Sequence, residues 1–232
     1  MLGLITARGG SKGVPRKNLA PCGGLPLLSW TCRAARSATV LTRTIISTDD
    51  PEIAELAAAE CIESPFMRPR ELASDTAASI EVARHTVEWL AEHEAWQTEI
   101  LVLLQPTSPM RTAKHIDEAY ALLGPEDDSV VSVIDVPHSF KPWSVMQIRD
   151  GYATPFVTGE LPFDRTRRQG QPTLVARNGP AVIVSRRSTL DAGTFYGGRC
   201  VPYAMARFDS IDIDDGEDLE LADWLLRRRG VV

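Results

Sequence analysis

Leu2-Gly3-Leu4-Ile5-Thr6 runs directly into Ala7-Arg8-Gly9-Gly10-Ser11-Lys12-Gly13-Val14-Pro15-Arg16-Lys17-Asn18, a short apolar strand ending in a glycine-rich, basic loop. Such a loop is built to hold phosphate. Glycines let backbone N–H groups approach an anion with no Cβ in the way, and Ser11 adds a hydroxyl. Arg8, Lys12, Arg16 and Lys17 bring four positive charges into ten residues. An ordinary solvated turn needs neither three glycines nor four cations, so a nucleoside triphosphate is the expected guest. The spacing excludes two other phosphate loops. GxxxxGK[ST] requires a Gly-Lys pair that Gly9, Gly10 and Gly13 do not form, and GxGxxG is absent.

Outward from this loop, strand-like runs alternate with helical patterns, the signature of βαβ units and a largely parallel sheet. Helices are predicted at 26–37, 51–59, 79–93, 113–123 and 216–229, and strands at 43–47, 100–104, 129–136, 181–185 and 201–204. Asp50 before Pro51 reads as a helix N-cap. Glu217, Asp218 and Glu220 near the start of the last helix, with Arg227, Arg228 and Arg229 at its end, suit the helix dipole. The expected architecture is one α/β domain over 1–232, a three-layer arrangement of a mostly parallel sheet with helices on both faces. The alternation breaks at Pro137, and 137–172 is too long for an ordinary loop. That excursion is either a lid or an arm packed on a second subunit. Its aromatics Phe140, Trp143, Tyr152, Phe156 and Phe163 exceed what a short surface loop buries.

The 232 residues are 44% hydrophobic and 24% charged, enough for one sizeable core. A formal net charge of −6 makes the basic loop a local exception, directed at a ligand rather than at nucleic acid or an anionic membrane. Cys22, Cys32, Cys61 and Cys200 show no CxxC or Cys/His metal spacing and suit reduced thiols. With neither a signal-peptide pattern nor a run of ~20 apolar residues, a cytoplasmic location is expected.

Ligands of open α/β sheets gather at the carboxyl ends of strands, which directs attention to two further segments. Gln105-Pro106-Thr107-Ser108-Pro109-Met110-Arg111 leaves the 100–104 strand with donors and acceptors able to read a base or sugar, although Thr107-Ser108-Pro109 also suits a plain turn. In Ile211-Asp212-Ile213-Asp214-Asp215, an extended backbone puts Asp212 and Asp214 on one face and the isoleucines on the other. Two such carboxylates suit Mg²⁺ bridged to phosphate, while Asp215 and Glu217 suit capping of the following helix. His85, His93, His115 and His138 form no HExxH and no close cluster, and there is no GxSxG elbow. The implied chemistry is metal-assisted displacement at phosphorus.

With these segments in hand, the chain resembles the acylneuraminate cytidylyltransferases, which make CMP-sialic acid and related CMP-nonulosonic acids. The matching stretches are ARGGSKGVPRKN at 7–18, STDD at 47–50, RPRELASDTAAS at 68–79, LQPTSPMR at 104–111, the Lys141 region, RQGQP at 168–172, ARNG at 176–179 and SIDIDDGEDLELA at 210–222. The resemblance implies a nucleotidyltransferase fold of the GT-A/Rossmann-like kind. It implies CTP held by Arg8, Gly9, Gly10, Ser11, Lys12 and Lys17, with Asn18, Arg68 and Gln105 around the nucleotide and sugar. Asp212 and Asp214 would carry Mg²⁺, with Mn²⁺ as the alternative, and Arg8 and Lys17 would join them as catalytic residues. It further implies a homodimer in which the excursion crosses to the partner, so that Lys141 and Arg168 reach the neighbour's acidic nine-carbon sugar. Phe195 and Tyr196 would face the sugar's acyl group.

Sialic acid enzymes often carry an aromatic in the strand after the Asn-Gly pair, whereas Asn178-Gly179 is followed here by Pro180-Ala181-Val182-Ile183. The resemblance therefore leaves room for a different nonulosonic acid, with a legionaminic-type acid ahead of pseudaminic acid. CMP-Kdo synthetases are disfavoured because their N-terminal loop has a different Arg/Ser/Pro-Gly-Lys pattern. Two rivals are a glycosyltransferase using Asp212-Ile213-Asp214 and a catalytically silent nucleotide-binding module. The first leaves the basic loop without a purpose, and the second sits poorly with intact Lys17, Gln105, Asp212 and Asp214.

Overall fold

The computed structural model describes residues 1–159 and 171–230. The elements are β1 (Leu2–Thr6), a short hairpin β2 (Pro21–Cys22) and β3 (Leu25–Pro26), α1 (Leu27–Ser37), β4 (Arg43–Ser47), α2 (Pro51–Ala59), α3 (Ser79–Glu94), β5 (Ile100–Leu104), α4 (Ala113–Ala121) and β6 (Ser129–Asp135). Then follow β7 (Met146–Arg149), β8 (Tyr152–Pro155), β9 (Val175–Arg177), β10 (Ile183–Arg186), α5 (Arg187–Asp191), β11 (Cys200–Ala204) and α6 (Gly216–Arg228).

The central sheet has the order β11-β6-β10-β5-β1-β4, with β9 paired to the far end of β6. β1 lies between two parallel neighbours, Leu4 opposite Ile45 of β4 and opposite Leu103 of β5. β10 runs antiparallel between β5 and β6, and β11 lies parallel to β6. β10 and β9 thus oppose the common direction of β1, β4, β5, β6 and β11, leaving the sheet mostly parallel as the alternation predicts.

Period-2 alternation divides the core. Ile5, Ile46, Val102, Leu104, Val130 and Val184 point to the face covered by Leu28 and Cys32 of α1, Ile53 and Ala57 of α2, and Ile116 and Ala119 of α4. Leu2, Leu4, Ile45, Leu101, Leu103 and Val131 point to the opposite face, against Ala83, Val87 and Leu90 of α3 and Leu190 of α5. The wholly apolar strands are explained by burial on both sides. A third cluster joins Cys22, Leu27, Trp30 and Met110 to Ala222, Leu225 and Leu226 of α6, with Ile213 buried at its centre. This cluster returns the end of the chain to the loop after β1.

The caps follow the sequence. Asp50 accepts the N–H groups of Glu52 and Ile53 at the start of α2, and Asp215 accepts those of Glu217 and Asp218 at the start of α6. Within the excursion the described residues form the β7–β8 hairpin, where Asp150 and Gly151 have φ of 52° and 82°. Phe140, Ile148, Tyr152 and Phe156 are largely exposed there, while Phe163 lies outside the described residues. Among the described residues no helix is long and apolar enough to cross a membrane.

Candidate active site

A cleft of about 440 Å³ opens at the carboxyl ends of β1 and β5. Its walls are the loop after β1, Arg68 after β4, the 72–79 segment leading into α3, the 105–107 segment after β5, and Asp214. This is where an open α/β sheet is expected to bind.

The loop after β1 is held by its own polar groups. The Ser11 hydroxyl donates to the Val14 carbonyl at 2.5 Å and accepts the Lys17 N–H at 2.9 Å, and the Asn18 amide donates to the Arg8 carbonyl at 2.9 Å. Ser11 and Asn18 line the cleft, yet their side chains shape the loop. Gly10 has nothing within 4 Å of where a Cβ would stand, so its backbone is open to a ligand. Gly9 departs from the phosphate role expected of it. Its N–H donates to Asp49 at 3.0 Å, and a Cβ on it would stand 2.7 Å from the Asp50 carboxylate, so its bareness makes room for that side chain. Of the four cations, Arg8, Lys12 and Lys17 line the cleft, whereas Arg16 pairs with Glu52 and Asp50 beside α2.

The two ends of the chain meet at Lys17, whose ammonium donates to the Ile213 carbonyl at 2.6 Å. Gly13 meets the same segment, since a Cβ there would stand 1.9 Å from the Asp214 carbonyl oxygen. The Ile213 N–H donates to the Thr107 carbonyl at 2.9 Å, tying in the loop after β5. The 211–215 segment joins no sheet, and the expected alternation is seen only in part: Ile213 is wholly buried and Asp214 opens to the cleft, whereas Ile211 and Asp212 are both half-buried. Asp212 is not on the cleft wall itself. Burial raises its pKa, the neighbouring Asp214 carboxylate adds to the rise, and Thr107 and Lys17 oppose it. Its Oδ1 is buried without a hydrogen-bond partner.

Arg68 is buried, donating from Nε to the Ser47 hydroxyl at 3.0 Å and from its guanidinium to the Ser47 carbonyl. Burial pulls its pKa down to about 10, with Asp49 opposing and Arg8 adding. Gln105 lines the cleft at the end of β5. Phe195 and Tyr196 line a shallower hollow of about 280 Å³ that shares Ser79 with the cleft. Lys141 is not on its own chain's cleft wall; its ammonium lies 5.2 Å from the Trp143 ring centroid and 3.4 Å from the Gln171 amide oxygen. Arg168 lies outside the described residues.

Two supports, Asn178 and Gly179, have no role assigned from sequence, and Arg111, expected among the donors that read a base or sugar, is instead a buried support. Gly179, at φ 106°, stands where a Cβ would meet the Asp212 carboxyl carbon at 2.7 Å. Buried Asn178 fixes that turn, accepting from the Ser132 hydroxyl at 2.6 Å and donating to the Ser210 hydroxyl at 2.9 Å. Buried Arg111 donates to the Gln105 carbonyl at 3.0 Å and the Ala181 carbonyl at 2.7 Å, and burial draws its pKa down to about 9. The ARNG and LQPTSPMR stretches contain these residues, but only the folded contacts reveal what each supports. Asp75 is a further cleft residue, paired with Arg8 at 2.7 Å and Lys12 at 2.8 Å.

A family model described as Cytidylyltransferase matches residues 2–182. The chain is 33% identical over 230 residues to the N-acylneuraminate cytidylyltransferase of Escherichia coli O18:K1:H7 (strain RS218 / NMEC), an alignment covering 99% of this chain and 52% of that protein. It is 28% identical over 233 residues to the Campylobacter coli post-translational flagellin modification protein B, covering 100% of this chain and 97% of that relative. The chain spans about half the length of several curated relatives it matches. A solved CMP:2-keto-3-deoxy-manno-octonic acid synthetase complexed with CTP shares the fold, with a TM-score of 0.69, 16% identity and 98% of each chain covered.

Proposed function

This chain belongs to the cytidylyltransferase family, matched over residues 2–182, and from that premise we propose that it transfers the cytidylyl group of CTP to an acidic nine-carbon sugar. The sugar's anomeric hydroxyl attacks the α-phosphorus, the bond to the β-phosphate oxygen breaks, and pyrophosphate leaves. One observation carries this reading: Lys17 binds the Ile213 carbonyl, bringing the basic loop and Asp214 to one cleft.

Arg8, Lys12 and Lys17 face the triphosphate and offset charge growing on the leaving pyrophosphate. Lys17 is the best placed of the three. One of its N–H bonds is spent on Ile213, which aims the ammonium while leaving two donors for phosphate oxygens. The Gly10 N–H adds a donor, Ser11 and Asn18 keep the loop in shape, and Arg68 and Gln105 border the nucleotide and sugar. The orphaned Asp212 Oδ1 and the adjacent Asp214 carboxylate fit one hard divalent cation, Mg²⁺ or in its place Mn²⁺, completed by substrate oxygens and water. When bound, such an ion supplies charge neutralisation at phosphate and acidifies the sugar hydroxyl.

The exposed Phe140, Ile148, Tyr152 and Phe156 support a homodimer joined through the excursion. Lys141 lies off its own cleft, which supports a site completed by the partner, with Arg168 assigned the same task. Phe195 and Tyr196 are assigned to the sugar's acyl end. The four cysteines are unpaired, in keeping with a cytoplasmic enzyme. A legionaminic-type acid is the favoured alternative to sialic acid, on the absence of an aromatic in the 180–183 stretch and the nearly full-length flagellin-modification relative.

The test is purified protein with CTP, Mg²⁺ and a panel of nonulosonic acids, following pyrophosphate and CMP-sugar. Pyrophosphate formation with one of these acids is expected. Transfer from a nucleotide sugar, or nucleotide binding without turnover, favours the rival glycosyltransferase or silent-module readings.

A further inference from the structure

Asp75 stands out because it occupies the place that the proposed function reserves for phosphate. Its two carboxylate oxygens are divided between the loop's cations, Oδ1 at 2.7 Å from Arg8 and Oδ2 at 2.8 Å from Lys12. All three residues line the same cleft. An Arg–Lys pair bridged by two oxygens of one planar anion is the arrangement that two phosphate oxygens would take. The neighbouring acids are engaged elsewhere: Asp49 accepts the Gly9 N–H, while Asp50 and Glu52 pair with Arg16.

Asp75 is carried by a segment suited to giving way. It lies between the short helical turn Arg70–Ala73 and the start of α3, and its side chain is 45% exposed. The surrounding polar contacts are slight, with the Ser74 hydroxyl reaching the Glu71 carbonyl at 3.4 Å and Thr76 at 3.3 Å. Exposed ion pairs of this kind are individually weak and exchange readily. Lys12 hydrogen bonding and the charges of Lys12 and Arg8 hold the carboxyl below the usual aspartate range, so the stand-in is anionic at neutral pH.

We propose that Asp75 is a built-in occupant of the anion seat: its carboxylate bridges Arg8 and Lys12 when the cleft is empty and is displaced when a polyphosphate binds. The proposal rests on the reading of this loop as a triphosphate seat. The carboxylate neutralises two adjacent cations in the empty protein, and any anion that needs both must first displace it. Apparent affinity is then reduced by the fraction of molecules in which the seat is open. The residue tunes how tightly the loop binds its nucleotide and keeps weakly bound anions out.

The experiment is calorimetric titration of inorganic tripolyphosphate into the full chain and its Asp75→Asn and Asp75→Glu variants at one ionic strength, with thermal melts confirming folding. Asp75→Asn is expected to bind tripolyphosphate about three- to tenfold more tightly than the unaltered protein, as suits release of two exposed ion pairs. Asp75→Glu, which retains the charge, is expected to remain nearer the unaltered protein. Unchanged or weaker binding by a folded Asp75→Asn overturns the proposal, the latter showing that Asp75 organises the cations rather than competing for them. No binding by any of the three overturns it as well. Because the probe carries no cytidine and needs no sugar, tighter binding without CTP turnover would uphold Asp75 while refuting the cytidylyltransferase reading.

Discussion

Gly13→Ala tests whether the two ends of the chain must touch for the enzyme to work. The added Cβ would stand 1.9 Å from the Asp214 carbonyl oxygen, and ordinary contact begins near 3.4 Å, so loop and acidic segment must part by about 1.5 Å. Neither side yields easily. The segment is held through Lys17 to Ile213, through the Ile213 N–H to Thr107, and through the Asp214 N–H to Asp218 at 3.0 Å. Overpacking of this kind destabilises by ~1–3 kcal/mol, which a folded domain can survive. A misplacement of about 1 Å between reacting groups costs ~10²-fold in rate, so turnover should fall by at least that factor while the protein still melts cooperatively. The assay is pyrophosphate release with CTP, Mg²⁺ and the panel of nonulosonic acids of the proposed reaction, alongside thermal melts. Gly10→Ala controls for stability, since its Cβ meets nothing within 4 Å and its melt should match the unaltered protein. A Gly13→Ala enzyme within about threefold of full turnover would refute the reasoning, because the required separation would have proved harmless.

Asp212→Asn and Asp214→Asn should each lower turnover by at least ~10²-fold, while Asp215→Asn, still able to cap α6, changes little; equal losses from all three, or full activity in EDTA, would contradict the assignment. Lys17→Ala and Arg8→Ala should weaken CTP binding or slow its reaction without unfolding the protein, as read by calorimetry and kinetics. Asp212→Asn should also melt above the unaltered protein at pH 7. The raised Asp212 pKa makes its contribution to stability greatest below the unfolded value and lost as pH rises through the folded one, so the gap should close as pH falls below about 4. On the proposed dimer, mixing Lys141→Ala with Asp212→Asn should regain activity under subunit exchange, because each heterodimer would hold one intact composite site; a monomer by light scattering, or confirmed heterodimers without activity, would count against it.

β4 and β5 match their sequence-predicted bounds because each is a compact β-rich run, and α3 and α6 lie close to theirs because a long apolar stripe persists over several turns. Shorter or solvated elements were less legible. β7 and β8 are largely exposed and lack a buried face, so they lack the alternation that marks a strand, although Asp150-Gly151 is a turn signal of the kind that closes a two-residue hairpin. α5 has only five residues, too few to establish a helical period. The reversed direction of β10 also escapes composition, because a strand buried on both faces reads alike in either orientation.

For the site, residue types were more legible than the work each one does. The four cations of the first loop look equivalent in sequence, but Arg16 turns to Glu52, Lys17 to the Ile213 carbonyl, and Arg8 and Lys12 to Asp75. Each pairing follows from where distant segments arrive, and sequence spacing cannot supply that. The 211–215 segment shows what holds the acidic pair in place. Ile213 is buried among Cys22, Leu27, Trp30, Met110 and Leu225, and its N–H and carbonyl are bound to Thr107 and Lys17. An apolar side chain and its two backbone groups thereby fix the backbone that carries the acids on either side. The unpaired Asp212 oxygen and the Gly179 turn packed against it go with that anchoring: Ile213 lets the chain keep, behind the Asp214 carboxylate of the cleft, a second carboxyl whose charge burial disfavours.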